Sequence, residues 1–146
     1  MEKGFCRDIA IDLGTTSVQV AARGRGIVLE EPSVVAVDRC TGKILEVGEA
    51  ARQMLGRTPG ELVPVRPLEQ GYIADCTMAE EMVAAFLRKA LPRRLFKPRL
   101  LICVPSGSAE VAEQAVVEAG VRAGAGKVYL MEEPLAAALG AGIDIQ

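Results

Sequence analysis

Residues 9–17 read IAIDLGTTS, and this stretch decides how the rest of the chain is interpreted. A strand-like apolar run leads through Asp12 into a turn of one glycine and three hydroxyl residues. Gly14 lets the backbone approach a ligand closely because it has no Cβ. Successive N–H groups in such a turn, with hydroxyls beside them, can donate to phosphate oxygens. Asp12 is suited to hold a hydrated Mg²⁺. An ordinary hairpin turn would use the same residues, so the stretch alone leaves both interpretations open.

The composition indicates a folded domain and excludes several kinds of site. Half of the 146 residues are hydrophobic, and a quarter are charged. The net charge of −2 gives no electrostatic case for nucleic acid, and the absence of histidine excludes histidine metal ligands and bases. The cysteines, which lack metal-site spacing, are expected to be reduced cytosolic thiols, mostly in the core. No apolar run approaches the ~20 residues of a membrane span, and residues 1–7 carry no signal-peptide core. We therefore expect a cytoplasmic protein.

The apolar spacing predicts an α/β protein. Predicted strands cover 8–13, 17–22, 26–30, 33–38, 44–48, 99–104 and 127–131. Thr77 and Glu80 form a capping-box signature, and the helix behind them is expected to end before Pro92. A second helix is predicted over 108–122, with a core face of Val111, Ala112, Ala115, Val116 and Ala119. A last helix is predicted from Glu133, because Pro134 suits its first turn. The order strand, helix, strand over 99–131 predicts a parallel βαβ unit.

Further segments add to the first turn. Residues 100–107 read LLICVPSG, a buried-type strand that ends in a Pro-Ser-Gly turn, and residues 129–138 read YLMEEPLAAA. Together with 26–36, 54–60 and 66–75, they resemble the actin-like ATPase superfamily, and within it the MreB family of bacterial actins. The resemblance runs from about Asp8 to Gly142. It implies the N-terminal half of an actin-like (ribonuclease H-like) fold, with a mixed sheet flanked by helices. It also implies a large subdomain of 1–31 and 66–146, with a small subdomain, 32–65, inserted in it.

The resemblance also implies an ATP and Mg²⁺ site. Asp12 would lie near the water shell of the metal, and Glu133 would orient the attacking water. The implied cofactor-binding residues are Asp12, Gly14, Thr15, Thr16 and Ser17. The family commonly has Gly-Thr-Ala-Asn at this turn, whereas this chain has Gly-Thr-Thr-Ser. Apart from the resemblance, Glu132 and Glu133 can be explained as carboxylates that the helix macrodipole favours at a helix start.

The family has a second phosphate loop and an adenosine loop, which this chain does not show. We therefore expect the chain alone to bind ATP weakly and to hydrolyse it negligibly. The resemblance implies a nucleotide-dependent, membrane-associated cytoskeletal protein of bacterial cell shape. Two alternatives stay open. One is a non-catalytic assembly or membrane-docking module of the same fold, and the other is half of a chaperone-like or sugar-kinase ATPase.

A basic stretch between Pro92 and Pro98 surrounds an apolar pair. The pair is Leu95 and Phe96, and the cations nearest it are Arg93, Arg94 and Lys97. Such a loop suits an anionic membrane, where each nearby cation contributes ~1 kcal/mol. The alternative places the pair in the core and the cations in solvent. MreB proteins resemble this loop, which implies a peripheral location at the inner face of the cell membrane. The resemblance further implies self-assembly, in part through helix 108–122, and contact with the cell-wall elongation machinery.

Overall fold

The computed structural model describes residues 8–55, 60–92 and 96–144. Within them the strands are β1 (Asp8–Leu13), β2 (Ser17–Ala22), β3 (Gly26–Pro32), β4 (Val35–Asp38), β5 (Ile44–Val47), β6 (Leu62–Val65), β7 (Leu68–Glu69), β8 (Tyr72–Ile73), β9 (Arg99–Val104) and β10 (Lys127–Glu132). The helices are α1 (Glu49–Leu55), α2 (Cys76–Ala90), α3 (Glu110–Arg122) and α4 (Glu133–Gly140). The α/β prediction is confirmed.

A mixed sheet with the order β10-β9-β1-β2-β3 forms the larger part of the fold. Strands β10, β9 and β1 are parallel, whereas β2 and β3 follow β1 as antiparallel neighbours. In the register of the parallel strands, Cys103 of β9 lies between Asp12 of β1 and Met131 of β10. The unit β9–α3–β10 is parallel, as predicted. The carboxyl ends of three strands therefore meet at one edge of the sheet.

Helix α2 packs against α3 and β3, and its apolar side fills the core. Met82, Phe86 and Leu87 on this helix have no exposed surface. The predicted capping box is wrong, because the helix begins one residue earlier than Thr77. The carboxylate of Asp75 accepts the N–H of Met78 over 2.9 Å, which satisfies one of the free donors of the first turn.

Two expectations about the core are also wrong. Val111 is 80% exposed, whereas Val116 and Ala119 on the same helix are buried. Val111 is five positions before Val116, which places it away from that stripe on a helix with about 3.6 residues per turn. The three cysteines that the structure describes are not core residues either: Cys40 and Cys76 are exposed, and Cys103 is partly exposed. Cys6 lies outside the described residues.

A second sheet with the order β5-β4-β6 lies within residues 35–65, together with α1. Val35 and Val37 of β4 belong to the same hydrophobic cluster as the main sheet, so the two sheets share a core. The sequence did not predict α1 or β6. The first has only seven residues, and the second contains Pro64, which is unusual in a paired strand. Whether 32–65 is a subdomain of its own stays a prediction.

Candidate functional site

The residues predicted to bind nucleotide lie where β1, β9 and β10 end. After β1 comes the turn at Gly14–Thr16, after β9 the turn at 105–107, and after β10 the start of α4. In open α/β sheets, ligands bind outside the carboxyl ends of the strands. The topology thus brings Asp12, the turn and Glu133 to one edge, although 121 positions separate Asp12 from Glu133 in the sequence.

The thiol of Cys103 lies in the middle strand of this edge, and the carboxylates of Asp12 and Glu133 affect its pKa. Burial is the main reason that the pKa of Cys103 lies above its ordinary value, and the negative charges of Asp12 and Glu133 raise this pKa further. The geometry agrees with this cause, because Asp12 is the register partner of Cys103 in the pairing of β1 with β9, and such charge effects fall off with distance. Asp12 itself is exposed.

The site offers one carboxylate to a metal rather than a closed cage. Among residues 8–55, 60–92 and 96–144, no group of three or more Cys, Asp or Glu side chains could hold a metal ion. Mg²⁺ usually keeps several waters and uses one or two protein carboxylates together with substrate phosphates. An exposed Asp12 next to the turn at 14–16 fits that mode of Mg²⁺ binding.

The turn after β1 is tightly closed and held by β3. A Cβ on Gly14 would lie 2.5 Å from the carbonyl oxygen of Ser17, so this position requires glycine. The carbonyl oxygen of Thr16 accepts the N–H of Ser33 over 2.9 Å, and Ser17 pairs with Pro32. The Thr16 residue is exposed, whereas Thr15 and Ser17 are partly buried. The turn is therefore ordered by its neighbours and leaves the Thr16 side chain open to a ligand.

The hairpin of β7 and β8 packs on this turn, which the sequence did not predict. The N–H of Gly71 donates to the Thr15 hydroxyl oxygen over 2.9 Å, and Arg66 Nη1 donates to the Thr15 carbonyl oxygen over 3.4 Å. A Cβ on Gly71 would lie 2.7 Å from Pro105 Cγ and 3.7 Å from Glu133 Oε1. The hairpin tip thus lies between the turn and Glu133. Arg66 adds a cation beside the turn. This role was not predicted from the sequence, where Arg66 stands only within the segment 66–75 that carries the family resemblance.

The two neighbouring glutamates have different surroundings. Glu132 ends β10, and its Oε2 accepts a hydrogen bond from Ser106 Oγ over 3.0 Å. Glu133 is the exposed first residue of α4, and Pro134 follows it in the first turn. The contact between Ser106 and Glu132 was not predicted. Ser106 thus bonds to Glu132, whereas the Glu133 carboxylate faces the hairpin tip at Gly71. The role of Glu133 in orienting water stays a prediction.

The basic loop is described only in part. Phe96 is 54% exposed, and Lys97 is exposed as well. Arg93, Arg94 and Leu95 lie outside the described residues. Of the helices that the structure describes, none combines the length and the apolar character needed to span a membrane.

The chain matches a protein-family model and is similar to several known proteins. The family model described as MreB/Mbl protein matches residues 6–146. The cell shape-determining protein Mbl of Bacillus subtilis (strain 168) is 52% identical over 142 residues, which is 97% of this chain and 43% of that protein. The cell shape-determining protein MreB of Escherichia coli (strain K12) is 44% identical over 147 residues, with 97% and 42% covered. The chain thus spans less than half the length of these relatives.

Solved structures agree with the fold. MreB5 of Spiroplasma citri bound to ADP is 34% identical, with a TM-score of 0.82 over 94% of this chain and 41% of that chain. The same protein bound to AMPPNP has a TM-score of 0.77. A MamK double helical filament, at 18% identity, has a TM-score of 0.78 and shows the fold alone. The predicted N-terminal half of an actin-like fold is confirmed.

Proposed function

The chain belongs to the MreB/Mbl family, and from that premise we propose that it binds ATP with Mg²⁺ as part of a cytoskeletal protein of bacterial cell shape. The observation that carries the proposal is the meeting of Asp12, the turn at 14–17 and Glu133 at one sheet edge. The relative MreB5, which is bound to ADP or AMPPNP in its solved structures, supports it.

Each residue has a role that its surroundings suit. The backbone of Gly14 and the hydroxyls of Thr15, Thr16 and Ser17 would hold phosphate oxygens, as turn donors do. Asp12 would hold waters of Mg²⁺, and Mg-ATP would supply the phosphoryl group when bound. Glu133 would orient the attacking water. Phosphoryl transfer requires positioning and electrostatic stabilisation more than covalent help from the protein, and this chain contributes one side of that arrangement.

A nucleotide titration followed by amide NMR tests this proposal. Mg-ATP should shift the amides of 13–17, 103–104, 106–107 and 131–133, with Mg²⁺ alone and adenosine as controls. Asp12→Asn should weaken the Mg²⁺-dependent part of binding by about tenfold, the scale of lost support at a metal site. Asp144→Asn, at an exposed aspartate elsewhere, should change nothing. Shifts confined to other surfaces, or none at saturating nucleotide, would refute the site.

The basic loop supports a peripheral location at the inner face of the cell membrane. Phe96 places an apolar ring on the surface, and Lys97 is an exposed cation next to it. Together with Arg93, Arg94 and Leu95, they would combine apolar insertion with attraction to anionic headgroups. The protein would then be cytoplasmic and bound peripherally to the membrane.

Self-association is proposed through α3. Its surface carries Glu110, Gln114, Glu118 and Arg122, together with the exposed apolar residue Val111. Val121 in the last turn is also more than half exposed. Protein interfaces combine an apolar centre with a polar rim, and this helix surface offers residues of both kinds. Contact with the cell-wall elongation machinery rests on family resemblance.

The division into 1–31 with 66–146 and an inserted 32–65 is supported by the separate sheet within 35–65.

A further inference from the structure

One carboxylate joins three elements of the fold. Glu31, near the end of β3, has a side chain that is only 14% exposed. Its oxygens accept two hydrogen bonds from Lys89 Nζ in α2, over 2.7 and 2.8 Å. Its Oε2 also accepts the N–H of Glu49, the first residue of α1, over 3.1 Å. Glu31 therefore links the main sheet to the helix of the second sheet and to α2.

The surroundings of this carboxylate are closely packed. Gly48 precedes α1 with a φ of +70°, and a Cβ there would clash with Glu31 Oε2 and lie 2.9 Å from Phe86 Cε1. Lys89 Nζ lies 5.8 Å from the centre of the Phe86 ring, within the range of a cation–π contact. Glycine at 48 is thus what allows α1 to start against the carboxylate.

The residues at the end of β3 also contact the turn at Gly14–Thr16, which is called the phosphate turn below. The N–H of Ser33 donates to the Thr16 carbonyl oxygen over 2.9 Å, and Ser33 is fully buried. Its hydroxyl donates to Met82 Sδ in α2 over 3.8 Å. The segment 31–33 therefore contacts the turn on one side and both α1 and α2 on the other.

We propose that Glu31 is a positioning residue that locks α1 and α2 to β3 and, through Ser33, holds the phosphate turn in place. Its part in nucleotide binding rests on the proposed function above. The Lys89 side chain is 41% exposed, whereas the Glu31 carboxylate is mostly buried. Removing Lys89 would leave that carboxylate without its cation, which is costly for a buried charge, so loss of Lys89 should loosen the whole segment. Because coupling between two sites is reciprocal, ligand at the turn should in turn steady the start of α1.

Hydrogen exchange of single amides tests the lock without nucleotide. Lys89→Met should speed exchange of both Glu49 and Ser33 by about tenfold, the factor for one lost hydrogen bond to a charged group. Glu31→Gln should act in the same direction, and adding Lys89→Met to it should add little. Lys89→Arg keeps the cation, and Arg88→Met removes the exposed cation next to it. Arg88→Met should stay within about twofold of the parent, as surface substitutions do, and so should Lys89→Arg, because it keeps a cation that can donate to Glu31.

The outcomes separate the lock from the proposed nucleotide site. Faster exchange at Glu49 alone, or equal effects from Lys89→Met and Arg88→Met, would overturn the coupling. With Mg-ATP added, exchange should slow at both Ser33 and Glu49 in the parent, but only at Ser33 in Lys89→Met. If Mg-ATP leaves Ser33 unchanged in the parent, the nucleotide proposal fails, whereas the substitutions without nucleotide still decide the lock.

Discussion

The N–H of Gly71 donates a hydrogen bond to the Thr15 hydroxyl oxygen over 2.9 Å, across 56 positions of sequence. Gly71 has a φ of +81° and faces Pro105, and Gln70 before it also has a positive φ of +51°. Residues in such conformations persist where the surrounding structure holds them. The hairpin tip and the candidate phosphate turn therefore support one another.

Gly71→Ala should destabilise the protein by roughly 2–4 kcal/mol, because a left-handed alanine and an overpacked contact each add a cost. Gly42→Ala is the matched control, since Gly42 has a φ of +68° but no atom within 4 Å of an added Cβ. It should cost only about 1–2 kcal/mol, the conformational part. Urea unfolding of both variants measures the difference. Equal losses would mean that the contact with Pro105 adds no strain.

Cys103 should react with iodoacetamide more slowly than Cys40 and Cys76 at about pH 8, because a raised pKa lowers the fraction of the reactive thiolate. Burial and the charges of Asp12 and Glu133 raise that pKa, whereas Cys40 and Cys76 are exposed. Peptide mapping by mass spectrometry follows each cysteine separately.

Glu133→Gln provides the internal control for that reaction. It removes one of the charges that raise the pKa of Cys103, so labelling of Cys103 should become faster. Glu132→Gln should have less effect, because the Glu132 carboxylate is turned to Ser106. A larger acceleration in Glu132→Gln would show that the two glutamates are placed the other way round.

Asp8 should make stability depend on acid pH. Hydrogen bonds from Arg23 and then Arg99 lower the pKa of Asp8 below its ordinary value of 3.8. A lowered carboxyl pKa contributes stability that is complete above the unfolded pKa and is lost as the pH falls through the folded one. Asp8→Asn should therefore lower the free energy of unfolding near neutral pH and make no difference well below pH 3.8. A constant difference at every pH, measured by urea titration, would assign the effect to packing instead.

The double variant Leu95→Ser/Phe96→Ser should lose co-sedimentation with anionic vesicles. Full burial of a Leu or Phe side chain contributes roughly 1.5–3 kcal/mol, and less at an interface. Arg93→Gln/Arg94→Gln should weaken binding mainly at low salt. Ile27→Ser/Leu45→Ser removes two other exposed apolar residues and should bind normally. Unfolding of the Leu95/Phe96 variant, seen by circular dichroism, would show that the pair is required for the fold and would contradict a role confined to membrane contact. A folded variant that still binds would place the contact elsewhere.

Val111→Glu should shift the protein toward monomer in sedimentation velocity, because it places a charge in the exposed apolar position of α3. A carboxylate is favoured in a first helical turn, so the helix should stay folded. Ile27→Glu alters an exposed apolar residue in β3 and should leave association unchanged. A strict monomer for the parent protein at high concentration would contradict the proposed self-association.

The sequence by itself determined the parts of the fold that local patterns specify. The hairpin from β1 to β2, the long helix α2 and the start of α4 follow from turn residues, apolar spacing and Pro134. Short elements were missed, since a seven-residue helix or a two-residue strand has little local preference. Such elements form because tertiary packing holds them. The cap of α2 was predicted at the wrong residue for a local reason, since Asp75 and Thr77 are both suitable N-cap residues and Asp75 makes the bond.

The residue types of the candidate site were likewise predictable, because a carboxylate and a turn of glycine and hydroxyl residues after a strand suit phosphate and Mg²⁺. Their partners were not. The bonds from Gly71 to Thr15, from Ser106 to Glu132 and from Lys89 to Glu31 join residues 56, 26 and 58 positions apart. Such pairs depend on strand register and on how α2 and the hairpin pack against the sheet. A one-residue slip in register would turn each side chain to the opposite face, so only the tertiary structure could decide them.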